Sequence, residues 1–380
     1  MKKVVICQYR LLHYRLGLFE RLREICAQRG IMLELVHGQA SPRELMKKDE
    51  GFLPWAHKVE NRFWELGARD LVWQSFPNEL CDADLVVVMQ ESRILSNYPL
   101  LLSRLWSPRK LAYWGHGVNF QSDAPAGLLE KWKQMMLKRV DWWFAYTAMT
   151  ADILQRAGYP HERVTCLNNA IDNEAFERDL ASVTETQLQA MRIAIDAPEG
   201  ALIGLFCGSL YPDKKLDLLV ATGDQIHKAL PGFRMVVIGD GPSAKDVQSA
   251  ARSRSWLKCV GVRKGQEKAA YFRLADVVLN PGLVGLHVLD SFCAGVPMIT
   301  TAAARHSPEI AYLRNGVNGL LVDGGVDAYA KAVIELLRDK NALTALKRGA
   351  LLDAKKFTLD NMVNNFADGI EKCISMPNKK

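Results

Sequence analysis

Four turns in the second half of the chain concentrate the residue types that hold phosphates and sugar hydroxyls. The first runs Cys207-Gly208-Ser209-Leu210-Tyr211-Pro212-Asp213-Lys214. Gly208 closes an apolar run, and Lys214 is placed to open a helix, where an ammonium can neutralise a diphosphate as a point charge. The second, Ile238-Gly239-Asp240-Gly241-Pro242, puts glycines at a strand end, where backbone can approach a ligand closely. In the third, Val260-Gly261-Val262-Arg263-Lys264, backbone groups could read a base edge, with Val262 or Arg263 against the ring face. The fourth is the richest: Asn280-Pro281-Gly282-Leu283-Val284-Gly285-Leu286-His287-Val288-Leu289-Asp290. Gly285 and Leu286 are expected to open a helix whose free N–H groups and dipole attract an anion. Asp290 falls inside that helix and is expected to hold ribose hydroxyls. Gly295-Val296-Pro297 ends the helix and starts the next strand. Taken singly, the first three turns read as well or better as ordinary surface turns. Their order beside the fourth is the informative feature.

These turns need strands and helices to position them. Strand-like runs lie at 4–7, 32–36, 84–89, 110–114, 142–146 and 163–167, and a second series at 202–207, 234–238, 257–260, 277–279, 298–300 and 320–322, with helical stretches between them. Continuous apolar strands alternating with helices predict α/β architecture with parallel sheets covered on both faces. The hinge is expected between Asn169 and Glu199, where the chain turns polar and Ala197-Pro198 breaks it. Open parallel sheets bind ligands outside the carboxyl ends of their strands.

Length and composition agree with two soluble domains. The 380 residues exceed one ordinary core, and no apolar stretch approaches a membrane-spanning length. The short apolar run after Met1-Lys2-Lys3 reads as a first strand, not a leader. None of the eight cysteines forms a Cys-x2-Cys pair, so reduced thiols in a cytoplasmic protein are expected. A net charge of +7 is too mild to imply nucleic acid. Asp82-Ala83-Asp84 precedes a strand and reads as a polar strand start, not a metal site. No Gly-x-Gly-x-x-Gly follows the first strand, which argues against a dinucleotide-dependent dehydrogenase.

The order of the four turns resembles the carboxyl-terminal half of retaining GT-B glycosyltransferases of family 4. Lys214, the run 237–242, Asp290, 295–297, Pro308-Glu309-Ile310 and Asn315-Gly316-Val317-Asn318-Gly319 match that pattern. Asn169-Ala170-Ile171-Asp172 resembles the family's domain junction, and Gly115-His116-Gly117 falls where the family keeps a histidine near the donor sugar. The resemblance implies two Rossmann-like doubly wound domains facing across a cleft. The first, 1–170, is the acceptor side, with a terminal helix at 357–380 packing back on it. The second, 171–356, binds the nucleotide diphosphate-sugar donor. It further implies transfer with retention of configuration, no cofactor and no obligatory metal, with His116, Lys214 and Glu309 as catalytic groups. Donor contacts would come from Gly208, Ser209, Lys214, Gly239, Val262, Arg263, Gly282, Val284, Gly285, Leu286 and Asp290. Two departures stand out. Ser209 occupies the position of the family's arginine, and Gly282 that of the first glutamate of its Glu-x7-Glu stretch, with Asp290 at the second. Tyr9, Arg10 and Arg15 form a loop of the first domain, and its two arginines are candidates to replace the missing charge on domain closure.

Residues 104–146 mix basic and large apolar side chains. A helix over 126–140 would set Lys131, Lys138 and Arg139 opposite Leu129, Trp132 and Met136. Such a helix suits either a sheet face or an anionic membrane surface, the latter implying peripheral attachment and a glycan or lipid-linked acceptor. Two alternatives remain on the same scaffold: a nucleotide-sugar epimerase, and a silent nucleotide-sugar-binding subunit favoured by Ser209 and Gly282.

Overall fold

The computed structural model describes residues 1–45, 49–67, 69–117 and 135–377. Two compact units emerge: Met1–Ile171 with Leu359–Lys380, and Asp172–Thr358.

The strands of the first unit are β1 (Lys2–Gln8), β2 (Ile31–His37), β3 (His57–Lys58), β4 (Asn61–Leu66), β5 (Arg69–Gln74), β6 (Leu85–Met89), β7 (Lys110–Gly115), β8 (Trp142–Ala145) and β9 (Val164–Cys166). Seven form a parallel sheet in the order β3-β2-β1-β6-β7-β8-β9. Val4, Val5 and Ile6 of β1 and Leu85 to Val87 of β6 are wholly buried, as strands covered on both faces must be. β4 and β5 pair antiparallel as a separate hairpin, which the strand pattern of the sequence does not reveal.

The helix Leu359–Ser375 completes this unit. Phe366 stacks on Phe144 at 4.4 Å between ring centroids and meets Trp114 edge-on at 5.1 Å. Lys110 caps the helix: its Nζ donates to the carbonyls of Cys373 (2.9 Å), Ile374 (3.0 Å) and Met376. Arg104 pairs with Asp141, and Trp114, Trp142 and Trp143 lie in the core. Lys110 and Arg104 of the basic aromatic segment are therefore structural, because they satisfy carbonyls and a carboxylate of the same unit. Residues 118–134, with most of the expected amphipathic helix including Lys131, Leu129 and Trp132, lie outside the described residues. Replacing Lys110 by Met removes the donor for three terminal carbonyls. A loss of about 1–3 kcal/mol is expected, read as a lower urea midpoint. An unchanged midpoint would show that the cap is idle.

The second unit holds β10 (Ile203–Cys207), β11 (Arg234–Ile238), β12 (Leu257–Gly261), β13 (Val277–Leu279), β14 (Met298–Thr301) and β15 (Gly319–Val322), all parallel, in the order β12-β11-β10-β13-β14-β15. Strands 234–238 and 277–279 fall where the sequence pattern puts them. The polar stretch near 179–199 is not a linker. It contains the helix Glu185–Ala194, started by a capping box between Thr184 and Gln187. The preceding helix Asn173–Ser182 is capped by the Asp172 carboxylate and packs Phe176 against Phe272. In this sheet the strand order reverses between β10 and β13. That reversal opens a crevice beyond their carboxyl ends.

Candidate functional site

The turns after β10 and β13 flank that reversal, so residues far apart in sequence are brought together by topology. After β10, the Gly208 N–H donates to Ile238 O (3.0 Å), and Leu210 N–H to Asp240 O (2.9 Å). Gly239 has φ +142°, and a Cβ there would lie 1.9 Å from Gly208 O. Its glycine is thus required by the neighbouring turn. Ser209 is exposed at the tip.

Lys214 does not open a helix as expected. It closes the 3-10 turn Pro212–Lys214, Lys215 follows with φ +51°, and the helix starts at Leu216. The proline at the start of that turn and the left-handed residue after it bend the chain inward. Lys214 is consequently only 8% exposed, and its Nζ donates to Leu283 O at 2.5 Å. Burial pushes its pKa down to about 8, against the opposing pull of Asp213. A buried ammonium tied to one carbonyl and a nearby carboxylate keeps much of its attraction for an anion.

Gly282 is a close packing contact. A Cβ at this position would lie 2.3 Å from both Asp213 O and the Lys214 carbonyl carbon. Leu283 N–H donates to Asp213 O (2.9 Å), which draws the two turns together. Thr301 Oγ1 donates to Pro281 O at 2.7 Å, and Asn280 Nδ2 to Leu283 O at 3.1 Å. No side chain, glutamate included, fits at 282 while this seam holds.

Val284 is fixed by its own neighbours. Its side chain is wholly buried, its N–H donates to His306 Nδ1 (3.1 Å), and its carbonyl accepts from Ser307 N–H (3.0 Å). Because Nδ1 accepts, the His306 proton sits on Nε2 and goes to Thr301 O at 2.7 Å. Burial lowers the His306 pKa, so the neutral tautomer persists as a clamp on the loop. The amides of Gly285 and Leu286 precede the helix His287–Cys293, which is seven residues long and carries little macrodipole. His287, which the sequence reading passed over, is kept neutral by burial and by Lys214, Lys268 and His306 around it.

Asp290 is 7% exposed, and its Oδ2 is taken by Lys268 Nζ at 2.8 Å. Burial raises its pKa while Lys268 opposes the rise. Lys268 also lies 4.6 Å from the Phe176 ring centroid, an anchor invisible at the sequence level. Val262 is half exposed beyond β12, and Arg263 leans toward Glu267 (3.7 Å). Glu309 is 4% exposed in the first turn of Pro308–Tyr312.

In the first unit His116 follows β7, with its ring 4.2 Å from that of Tyr146. Its Nδ1 is buried and has no hydrogen-bond partner among the described residues. Burial and then Arg15 push its pKa down to about 4. Arg15 itself lies 4.5 Å over the Trp114 ring and donates to Tyr146 OH (3.3 Å). Tyr9 OH donates to Glu44 (2.9 Å), and burial pushes its pKa up to about 12. The Arg10 guanidinium is matched by Asp49 at 2.5 Å and donates to Tyr9 OH at 3.0 Å.

Asp82 and Asp84 pair with Lys3 (2.7 Å) and Lys2 (2.8 Å) at the start of β6. Among the described residues no His, Cys, Asp and Glu cluster could hold a metal ion, and no helix is long and apolar enough to cross a membrane.

Residues 201–339 match the family described as "Glycosyl transferases group 1". A D-inositol 3-phosphate glycosyltransferase of Salinispora tropica is 24% identical over 336 residues, spanning 78% of this chain and 69% of its own length. The alpha-monoglucosyldiacylglycerol synthase of Acholeplasma laidlawii is 23% identical over 227 residues, 57% of this chain and 55% of its own. Among solved structures, Anabaena Alr3699/HepE in complex with UDP superposes with a TM-score of 0.67 at 14% identity, covering 98% of this chain and 100% of that one. Sucrose-phosphate synthase from Thermosynechococcus elongatus gives 0.68 at 14%, covering 98% of each.

Proposed function

We infer that this chain, of GT-B fold and with a second unit belonging to the group 1 glycosyl transferases, moves a sugar from a nucleoside diphosphate donor to an acceptor. The observation that carries this reading is the seam between the Lys214 turn and the Gly282–Leu286 loop. There a buried lysine with a depressed pKa points at the strand-order reversal of the second sheet. Departure of the leaving group builds negative charge on the β-phosphate, and a cation held in a low-dielectric pocket stabilises it. Lys214 supplies that cation, with the Gly285 and Leu286 amides as neighbouring donors. His116, neutral above about pH 5, is suited to hydrogen-bond a sugar hydroxyl. We assign transfer with retention of configuration, needing no metal. The acceptor is a lipid-linked or surface glycan; of the two relatives, the alpha-monoglucosyldiacylglycerol synthase carries a lipid in its name.

A panel of nucleoside diphosphate sugars in a binding assay, followed by measurement of nucleotide release with and without acceptor, tests the reading. Tight binding without acceptor-dependent release would instead support the silent subunit that Ser209 and Gly282 recommend.

Lys214 also predicts a pH dependence. Its free-state pKa of about 8 lies below the ordinary lysine value, and a bound diphosphate raises it again. Above about pH 8 the complex therefore holds a proton that the free protein lacks, so binding weakens as pH rises. Donor affinity should be flat from about pH 6 to 7.5 and fall by up to about tenfold per unit beyond pH 8. Calorimetry in buffers of different ionisation enthalpy should show proton uptake on binding in the alkaline range. Absence of both would remove Lys214 from the anion site.

A further inference from the structure

Lys268 and Asp290 form an ion pair that stability alone does not call for. Lys268 lies one turn into the helix Gly265–Leu274, which follows the β12 turn, and Asp290 one turn into the helix His287–Cys293, which follows the β13 turn. The pair therefore ties the turn of Val262 and Arg263 to the loop of Gly285 and Leu286. Lys268 Nζ meets Asp290 Oδ2 at 2.8 Å. The same ammonium lies 4.6 Å from the Phe176 ring centroid and 5.9 Å from that of Phe272, two rings that meet edge-on at 5.3 Å. Two aromatic rings and one carboxylate thus fix its position. Burial pushes the pKa of the Cys207 thiol up to about 12, and Lys268 and Asp290 both act on that thiol from nearby. Cys207 ends β10, so the pair stands beside the crevice at the β10–β13 reversal.

Taking two charges out of water costs about as much as their attraction returns, and an apolar pair of similar volume is often at least as stable. This pair is also incomplete: among the described residues nothing donates a hydrogen bond to Asp290 Oδ1. A buried carboxylate with one oxygen unsatisfied destabilises the fold, and a ligand hydroxyl placed there offsets the cost. The Asp290 side chain keeps 9% of its surface exposed, so a ligand reaches it only through a small opening. We propose that Lys268 is a positioning residue of the donor site, holding Asp290 by Oδ2 so that Oδ1 accepts a ribose hydroxyl, and that it thereby makes the site select ribonucleotides over their deoxy forms. The proposal rests on the donor reading above. Without Lys268 the carboxylate is free to turn, and burial favours its protonated form, whose O–H donates where the site needs an acceptor.

The test is calorimetric titration of the full chain with UDP, GDP and ADP, and then with the 2′-deoxy and 3′-deoxy forms of whichever binds. The proteins compared are wild type, Lys268→Met and the double variant Lys268→Met/Asp290→Asn. In wild type, loss of one of the two hydroxyls should weaken binding by roughly 10- to 100-fold, the range for a hydrogen bond to a charged acceptor. In Lys268→Met that ratio should fall below about threefold, because the ribonucleotide binds more weakly while the deoxynucleotide binds nearly as before. Methionine can pack against the two phenylalanine rings, and the double variant leaves no unpaired charge. The double variant should therefore keep the wild-type circular dichroism and show the same low ratio, and it decides the matter should Lys268→Met fail to fold. The proposal is overturned, with the donor reading intact, if wild type binds a nucleotide without preferring the ribo form. It is likewise overturned if the variants keep the wild-type ratio, or if they weaken ribo and deoxy forms equally. A wild type that binds none of the three nucleotides overturns the donor reading and this proposal together.

Discussion

Lys214→Ala should lower the turnover of sugar transfer by about 100- to 1,000-fold, the typical cost of removing one preorganised charge from a developing anion. The loss should appear chiefly in kcat, because Lys214 is worth most when the β-phosphate gains charge on leaving. The substitution is expected to spare the fold. Leu283 O keeps a second donor in Asn280 Nδ2 (3.1 Å), and the turn is still tied by Leu283 N–H to Asp213 O (2.9 Å). Lys214→Arg should not rescue, since a planar fork does not fit a pocket shaped around one ammonium 2.5 Å from a carbonyl. Steady-state kinetics with unchanged circular dichroism is the check. Activity within about tenfold of wild type would remove Lys214 from the reaction.

Gly282→Ala should be the most damaging small substitution in the second unit. The added methyl would lie 2.3 Å from Asp213 O and from the backbone of Lys214, neither of which is a flexible side-chain end. The loop would have to part from the Lys214 turn. Overpacking against side chains costs about 1–3 kcal/mol, and against fixed backbone the cost should reach about 3 kcal/mol or more. Two readouts should move together: a lower thermal midpoint and weaker donor binding, since the carbonyl that steers Lys214 belongs to the same loop. Normal stability in Gly282→Ala would mean that the two turns are not seated as described. The same seam explains why glutamate cannot occupy the position: its carboxylate would need the space that Lys214 backbone fills.

Much of the α/β frame was legible because buried parallel strands are continuous apolar runs, and the runs at 4–7, 85–88 and 234–238 leave little choice. The hairpin was not legible, because its inward positions mix Asn61, Asp70 and Gln74 with Phe63 and Val72, and its outward ones include two tryptophans. Polar and apolar residues are mixed on both faces, so alternation there carries no clear signal. At the site, the turns were legible as glycine and lysine clusters, but their meeting was not. Lys214 and Leu283 lie 69 residues apart, and only the neighbouring of β10 and β13 joins them. Lys268 and His306 escaped notice for a related reason. Each acts through one long-range partner, Asp290 and Val284 respectively, and neither sits in a motif. Arg10 likewise has a partner that no motif announces, Asp49, 39 residues further along the chain.

The most direct measurement is a crystal structure of the chain with UDP bound. Lys214 Nζ should have left Leu283 O to lie about 3 Å from a β-phosphate oxygen, with the Gly285 and Leu286 amides facing the same group. A diphosphate bound elsewhere, with Lys214 still on Leu283 O, would contradict the account.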